Sequence, residues 1–214
     1  SMSETIIISV IFLGLGISLG YALSSFRNGL NEHKGEGYIR KLLSKRFNTI
    51  EYHVLNNLTL PVADGSTQID HVLVSTRGVF VIETKNYSGW IFGNEKSAKW
   101  TQVIYKKKSS FQNPLRQNYK HQKVVQNILD FLPLEAVHSV VVFTGSAEFK
   151  TKKPANVFDP SELIAYIETQ PTGALSQNRV AFVVGRLECA RYQMSGQTDF
   201  EHQSHLIKKF GEIT

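Results

Sequence analysis

Residues 68–85 read QIDHVLVSTRGVFVIETK and place two acids and a lysine at one end of an otherwise apolar hairpin. Side chains two residues apart on a strand share a face. Asp70 is therefore expected to share a face with Val72, and Glu83 with Lys85. The segment predicts a β-hairpin in which three charged side chains meet.

A two-residue turn at Arg77-Gly78, with glycine supplying a positive φ, would set the register of this hairpin. The pairs that this turn predicts are Val74–Val81, Val72–Glu83 and Asp70–Lys85. Both acids and the lysine then converge on one patch above the valines. A bulge or a loop of odd length would break this register.

Two carboxylates beside an ammonium group suit Mg²⁺, because this cation prefers oxygen ligands and is usually held by one or two carboxylates with phosphate and water. The lysine can orient the attacking water or stabilise developing charge. The competing interpretation is a cross-strand salt bridge. Both faces of these strands are apolar, as in a buried sheet, and buried charges need a partner or a metal. The pattern therefore favours a functional site.

An acid followed about a dozen residues later by Glu-x-Lys resembles the PD-(D/E)xK nuclease superfamily. A longer ordered set of motifs resembles the nuclease-related domain (NERD) family, and the resemblance covers roughly residues 35–145. The motifs are Gly35-Glu36, Gln68–His71, Gly78–Gly89, Trp100, Asn113–Leu115 and Gln117-Asn118. Ile69 stands where the superfamily usually has a proline. The resemblance implies a restriction-endonuclease-like core and nuclease activity.

The resemblance also implies the roles of particular residues. Asp70 and Glu83 would bind the metal, Mg²⁺ or Mn²⁺, together with the backbone carbonyl of Thr84. Lys85 would be the catalytic lysine.

Two further site residues follow from the same resemblance. Glu36 corresponds to an acid on the first helix that often faces the site, and Gln117 to a glutamine on the helix after the core strands. The alternatives are an acid favoured by the helix dipole for Glu36 and a solvated or capping amide for Gln117. His71 lies opposite Asp70 by parity and is interpreted as structural.

Hydrophobic periodicity predicts alternating helices and strands. The predicted helices are 36–47, 114–131, 161–169, 177–189 and 200–210, although 177–189 also suits a strand. The predicted strands are 52–60, the two of the hairpin, 90–92, 100–105 and 137–143. This order gives an α/β fold with a mixed sheet flanked by helices.

Residues 5–26 contain no charged side chain, and a helix of this length spans about 33 Å, enough to cross a bilayer core. We expect one N-terminal transmembrane helix, the alternatives being a cleaved signal peptide and a buried core helix. Basic residues follow the segment and none precedes it, which predicts a single-pass protein with a cytoplasmic C-terminal domain. Gly16 and Gly20 would permit homodimerisation, which nothing else supports.

Three parts follow along the 214 residues: 1–30 as membrane anchor and linker, 31–145 as nuclease core, and 146–214 as a helical extension packed on the core. The single cysteine, Cys189, excludes an intrachain disulfide framework.

The net charge is +6, and about +7 from Arg27 onward because Glu4 is the only earlier charge. This balance suits a polyanion such as DNA or RNA. The candidate nucleic-acid-binding residues are Lys106, Lys107, Lys108, Arg116, Lys120 and Lys123. Solubilising surface charge and attraction to anionic lipid are the alternatives.

Two functions remain open at this point. The first is a membrane-anchored, metal-dependent nuclease. The second is a catalytically silent, membrane-tethered module that binds nucleic acid or acts as a scaffold on the same fold. Retention of all three of Asp70, Glu83 and Lys85 favours the enzyme.

Overall fold

The computed structural model describes residues 33–210, with side chains described through residue 194. The predicted membrane helix, residues 5–26, lies outside this part of the chain. Within the described part, no helix is both long and apolar enough to span a bilayer.

The described chain begins with helix α1 and alternates strands and helices thereafter. In chain order the elements are α1 (33–46), β1 (Tyr52–Val62), β2 (Gly65–Ser75), β3 (Gly78–Asn86), β4 (Gly89–Phe92), β5 (Lys99–Ile104), β6 (Lys107–Gln112), α2 (Pro114–Ile128), β7 (Val137–Thr144), β8 (Ala147–Phe149), β9 (Val157–Phe158), α3 (Pro160–Thr169) and α4 (Gln177–Phe210). A short 3₁₀ turn, Leu134–Ala136, precedes β7.

The strands form two mixed sheets, whereas the sequence predicted one. The first has the order β1-β2-β3-β7-β9 and the second β6-β5-β4-β8. In the first sheet β1, β2 and β3 are antiparallel, while β3, β7 and β9 are parallel. Strand β6 was missed because its sequence, KKSSFQ, is polar and almost wholly exposed, so no burial pattern marks it. The predicted class, a mixed α/β fold flanked by helices, is confirmed.

Two hydrophobic cores cover the two faces of the first sheet. Residues of α1 and α3 pack on the face that carries Phe80 and Ile82. Residues of α2 and α4 pack on the face that carries Val79 and Val81. A third cluster joins the sheets through residues that include Trp100. The sheet is thus sandwiched between helices, and the strands that carry the acids run through its centre.

The C-terminal part, residues 146–214, contains two short strands as well as helices. Strands β8 and β9 each join one of the two sheets. Residues 177–189 are helical, and they belong to one continuous helix rather than to one of two separate helices. The limits of the three predicted parts stay a prediction.

The predicted register of the β2–β3 hairpin is wrong by two residues. The turn lies at Thr76-Arg77, so that Ser75 pairs with Gly78. Gly78 has the expected positive φ of 129° but belongs to the strand. A Cβ at this position would lie 2.9 Å from the carbonyl oxygen of Ala136, so this close approach requires glycine. Because the shift is two residues, Val72 still shares a face with its partner, now Val81.

Gly35 on α1 sits tightly against the ends of β3 and β7. An added Cβ would lie 2.7 Å from Cβ of Asn86 and 2.8 Å from Oγ1 of Thr144, whereas one at Gly37 would have nothing within 4 Å. We expect Gly35→Ala to lower the free energy of unfolding by about 1–3 kcal/mol through overpacking. Gly37→Ala on the same helix should be neutral or stabilising by up to about 1 kcal/mol. Urea denaturation of both variants measures this, and equal effects would contradict the contact.

Candidate active site

Asp70 and Glu83 stand opposite each other where β2 and β3 part. The last ladder pair between these strands is His71–Ile82, and the next residues along the two strands are the two acids. Beyond this point, the backbone N–H of Thr84 donates to Oδ2 of Asp70 at 2.7 Å. A side-chain carboxylate thus takes the place of a backbone acceptor, which holds Asp70 across from Glu83.

The alternation of side chains breaks at Asp70. Its neighbour on β1, Asn57, has a positive φ of 49°, and the Asn57–Asp70 pair is missing from an otherwise continuous ladder. Ile69 packs in the same core as Val72, although strict alternation would place them on opposite faces. The sequence prediction deduced the face of Asp70 from parity, and this deduction does not hold at a position where the alternation is interrupted.

Glu83 is the centre of a buried polar cluster. Its side chain accepts a 2.7 Å hydrogen bond from Nζ of Lys85 through Oε1. Nδ1 of His121, on α2, lies 3.4 Å from Oε2. The three residues are 2%, 8% and 6% exposed, respectively. Oε2 of Glu83 and Nδ1 of His121 lack a well-aligned hydrogen bond within the described residues. Oε2 can therefore still accept a hydrogen bond or bind a cation.

The two acids have opposite pKa shifts. Burial and the negative charge of Glu83 raise the pKa of Asp70 to about 8, although the hydrogen bond from Thr84 works against this. Burial also acts to raise the pKa of Glu83, but the nearby His121 and Lys85 outweigh it and leave that pKa below its usual value. Without a bound cation, Glu83 is ionised at neutral pH and Asp70 keeps its proton. Such divergence of neighbouring carboxyl groups is typical of functional sites.

Glu36 lies near this pair on the α1 side of the sheet. Its charge contributes to the raised pKa of Asp70. The side chain lines a polar cavity of about 210 Å³ together with residues that include Arg40, Asn57 and His71. The structure thus places Glu36 beside the acids, and its role in catalysis stays a prediction.

His71 connects β2 to β1 by a side-chain hydrogen bond next to the missing Asn57–Asp70 pair. It is 1% exposed, and its Nδ1 lies 2.7 Å from Oδ1 of Asn56. Burial and the charge of Arg40 lower its pKa to about 4. The imidazole is therefore neutral at neutral pH, and Nδ1–H donates to the amide oxygen.

Helix α2 carries Gln117, which is half-buried, and His121 one turn later. Residues four apart share a helix face, so Gln117 faces the same side as the histidine that contacts Glu83. Sequence reasoning missed His121. The available signal was its spacing from Gln117 in a helix that begins at Pro114.

Two asparagines of the family motifs fix α2 over the strands. Asn113 caps the helix by accepting a backbone N–H at 2.9 Å, and its Nδ2 donates to the carbonyl of Ser97 at 2.7 Å. Nδ2 of Asn118, fully buried, donates to the carbonyls of Val81 and Val140 at 2.9 Å. These bonds hold α2 in the position from which His121 reaches Glu83.

The predicted nucleic-acid-binding residues fall into two groups. Lys106–Lys108 lie at the exposed β5–β6 hairpin of the second sheet. Arg116 and Lys120 line a cavity of about 590 Å³ beside α2. Nζ of Lys123 lies 5.3 Å from the ring centre of Tyr119. The hairpin lysines and the helix cations thus lie on different elements of the fold.

The carboxylate pair suits a hard divalent cation by its chemistry. Asp70 and Glu83 offer oxygen ligands, and Oε2 of Glu83 is buried without a hydrogen-bond partner in the described part of the chain. No group of three or more His, Cys, Asp or Glu side chains in the described residues is arranged to hold a metal. The predicted ligand set has only two such side chains, those of Asp70 and Glu83, and its third ligand is the backbone carbonyl of Thr84. The residues present thus fit a Mg²⁺ or Mn²⁺ ion that keeps several water ligands.

An acid facing Glu-x-Lys across the central strands is the arrangement that gives the PD-(D/E)xK class its name. The family model described as nuclease-related domain matches residues 31–144. The chain therefore belongs to the nuclease-related domain (NERD) family.

A relative in Bacillus anthracis is an uncharacterized protein that is 43% identical over 128 residues. The match covers 59% of this chain and 60% of that protein. The chain thus spans less than two thirds of its relative.

Proposed function

We propose that this protein is a divalent-metal-dependent nuclease that hydrolyses phosphodiester bonds in DNA or RNA. The observation that carries the proposal is the carboxylate pair at the β2–β3 fork, where Glu83 is buried, Asp70 is half-buried and Lys85 is bonded to Glu83 at 2.7 Å. Membership of the nuclease-related family supports the reaction class.

Asp70, Glu83 and the carbonyl of Thr84 would hold Mg²⁺ or Mn²⁺. The bound cation would neutralise phosphate charge and favour deprotonation of a water molecule. Binding of a cation would also favour the ionised form of Asp70, because it replaces the repulsion from Glu83 with attraction to the metal.

Lys85 has a separate task. Its ammonium group is held by Oε1 of Glu83 and is only 8% exposed. In this position it would orient the attacking water and stabilise the charge that develops on the phosphate oxygens. His121 supports the arrangement from α2 by contacting the second oxygen of Glu83. Glu36 and Gln117 are proposed as outer members of the site.

The test is a cleavage panel of labelled single- and double-stranded DNA and RNA. We expect cleavage of at least one substrate in Mg²⁺ or Mn²⁺ and loss of all cleavage in EDTA, with recovery when the metal is restored. Undiminished cleavage in EDTA would contradict the metal-dependent mechanism. Metal-independent nucleic-acid binding without cleavage in any metal, unaffected by Glu83→Ala, would favour the silent binding module instead.

We also propose that residues 5–26 anchor the protein in a membrane, with the nuclease domain in the cytoplasm. The uncharged segment and the basic residues after it support this topology. We expect the full chain to stay in the membrane pellet after extraction at alkaline pH, and a variant lacking residues 5–26 to be released. Release of the full chain would contradict the anchor.

A further inference from the structure

Two neighbouring cavities, of about 590 and 460 Å³, share Glu95 and Ala155 as lining residues. Together they form a groove beside α2, which we call the α2 groove. Its walls are α2, the loop at residues 94–97 and the loop at residues 152–156. A groove of this size holds more than one isolated phosphate.

The walls of the α2 groove are held by hydrogen bonds. Arg116 donates to the carbonyl of Lys96 at 2.5 Å, and Asn113 to that of Ser97 at 2.7 Å. On the other side, the hydroxyl of Thr151 donates to the carbonyl of Gly93 at 2.7 Å. Both loops are therefore fixed before a ligand binds, which reduces the ordering cost of binding.

The charge of the α2 groove is positive. Its lining cations are Lys96, Arg116, Lys120, Lys152 and Lys153, and its lining acid is Glu95. Lys153 pairs with Glu162. The ion pairs among the described residues involve none of Lys96, Lys120 and Lys152. These three lysines therefore favour a polyanionic ligand.

An aromatic side chain distinguishes the kind of polyanion. Tyr119 lines the groove with 54% of its surface exposed. An exposed ring among cations is how proteins bind single strands, whose bases stack on the ring while the phosphates contact the cations. A duplex keeps its bases stacked on each other and cannot use such a ring.

We propose that the α2 groove binds a single-stranded segment of nucleic acid, with a base on Tyr119 and phosphates on Lys96, Lys120 and Lys152. The inference rests on the proposed function and deepens it by assigning the strand class. Residues two apart on a helix lie about 200° apart around its axis. Tyr119 and the groove therefore lie across α2 from Gln117 and His121, so binding in the groove is separable from chemistry at the acids.

The test measures binding of the purified full chain in EDTA, where the proposed nuclease is inactive. A labelled 20-nucleotide oligothymidylate and a duplex of the same length are compared by fluorescence anisotropy. We expect tighter binding of the single strand. Tyr119→Ala should weaken it roughly 5- to 150-fold, the equivalent of one lost stacking contact, while Tyr119→Phe should bind like the wild type. Lys152→Ala should reduce the slope of log K against log salt by about 0.7, the value for one phosphate contact with a single strand.

Two matched variants control for general effects. Tyr38→Ala removes a tyrosine that is 52% exposed on α1, and Lys45→Ala removes an exposed lysine of the same helix. Neither should change binding. Equal binding of duplex and single strand together with no effect of Tyr119→Ala would overturn the proposal. If Lys152→Ala lost binding to anionic lipid vesicles while its oligonucleotide binding stayed unchanged, the lysines would belong to a membrane-binding surface. That result would overturn the proposal as well.

The outcomes for the groove and for the nuclease are distinguishable. Metal-dependent cleavage with unaltered binding by Tyr119→Ala would refute the groove alone. Strand-selective binding that depends on Tyr119, without cleavage in any metal, would refute the nuclease alone.

Discussion

Replacing Lys85 with alanine is expected to lower metal-dependent cleavage by about 100- to 1000-fold, the usual cost of removing one preorganised group that stabilises developing charge. The ammonium group is bonded to Glu83 at 2.7 Å and is 8% exposed. No water molecule can reproduce a fixed charge at that place. Single-turnover cleavage of a labelled substrate at saturating metal measures the effect. Because chemistry and not binding is lost, affinity for the same substrate in EDTA should change little.

The Lys85→Ala variant must be shown to be folded, because removing one partner of a buried ion pair can cost about 3–5 kcal/mol. Near-ultraviolet circular dichroism shows whether the variant has native packing, and urea denaturation measures its free energy of unfolding at the assay temperature. Lys45→Ala, which removes an exposed lysine on α1, is the matched control and should cleave at the wild-type rate. A folded Lys85→Ala variant with wild-type activity would exclude the assigned role.

Asp70→Asn should abolish cleavage and yet stabilise the protein at alkaline pH in EDTA. Burial and the charge of Glu83 raise the pKa of Asp70 in the folded protein to about 8, whereas the ordinary pKa of an aspartate side chain is 3.8. Between these values the folded state holds more protons than the unfolded state. The free energy of unfolding of the wild type therefore falls as the pH rises through this window. Asparagine does not titrate, and its amide oxygen can still accept the N–H of Thr84.

Urea denaturation at pH 5 and pH 8.5 measures this difference. Relative to the wild type, Asp70→Asn should gain up to about 4 kcal/mol between these two pH values. Added Mg²⁺ or Mn²⁺ should then stabilise the wild type by binding its folded state and leave the variant unchanged. Asp64→Asn changes an exposed acid at the β1–β2 turn and should show neither effect. A pH-independent difference between Asp70→Asn and the wild type would contradict the raised pKa of Asp70 beside Glu83.

Local pattern predicted the hairpin, the helices and the burial of the strands, because these depend on periodicity within short segments. It could not predict the register. The register depends on Gly78, whose missing side chain leaves room for the carbonyl of Ala136, which lies far along the chain. Strand β6 escaped because its polar residues face solvent and show no alternation.

In the site, too, the features set within one short segment were predicted and those set by contacts between distant segments were not. Glu83 and Lys85 lie two residues apart on one strand, so alternation alone places them together. The position of Asp70 beside them depends on the irregularity in the β1–β2 ladder at Asn57, which no residue pattern in the sequence indicated. His121 reaches Glu83 from a helix whose position depends on buried asparagine hydrogen bonds to the strands. Contacts between distant segments complete the site, and these were out of reach of the sequence argument.

The most direct test of the carboxylate site compares Glu83→Gln with the wild type in single-turnover cleavage, in Mg²⁺ and in EDTA. Glutamine keeps the size of the side chain and removes its charge. We predict that the wild type cleaves only in Mg²⁺ and that the folded Glu83→Gln variant does not cleave in either condition. Cleavage by Glu83→Gln at the wild-type rate, or wild-type cleavage that persists in EDTA, would contradict a metal-dependent nuclease centred on Asp70 and Glu83.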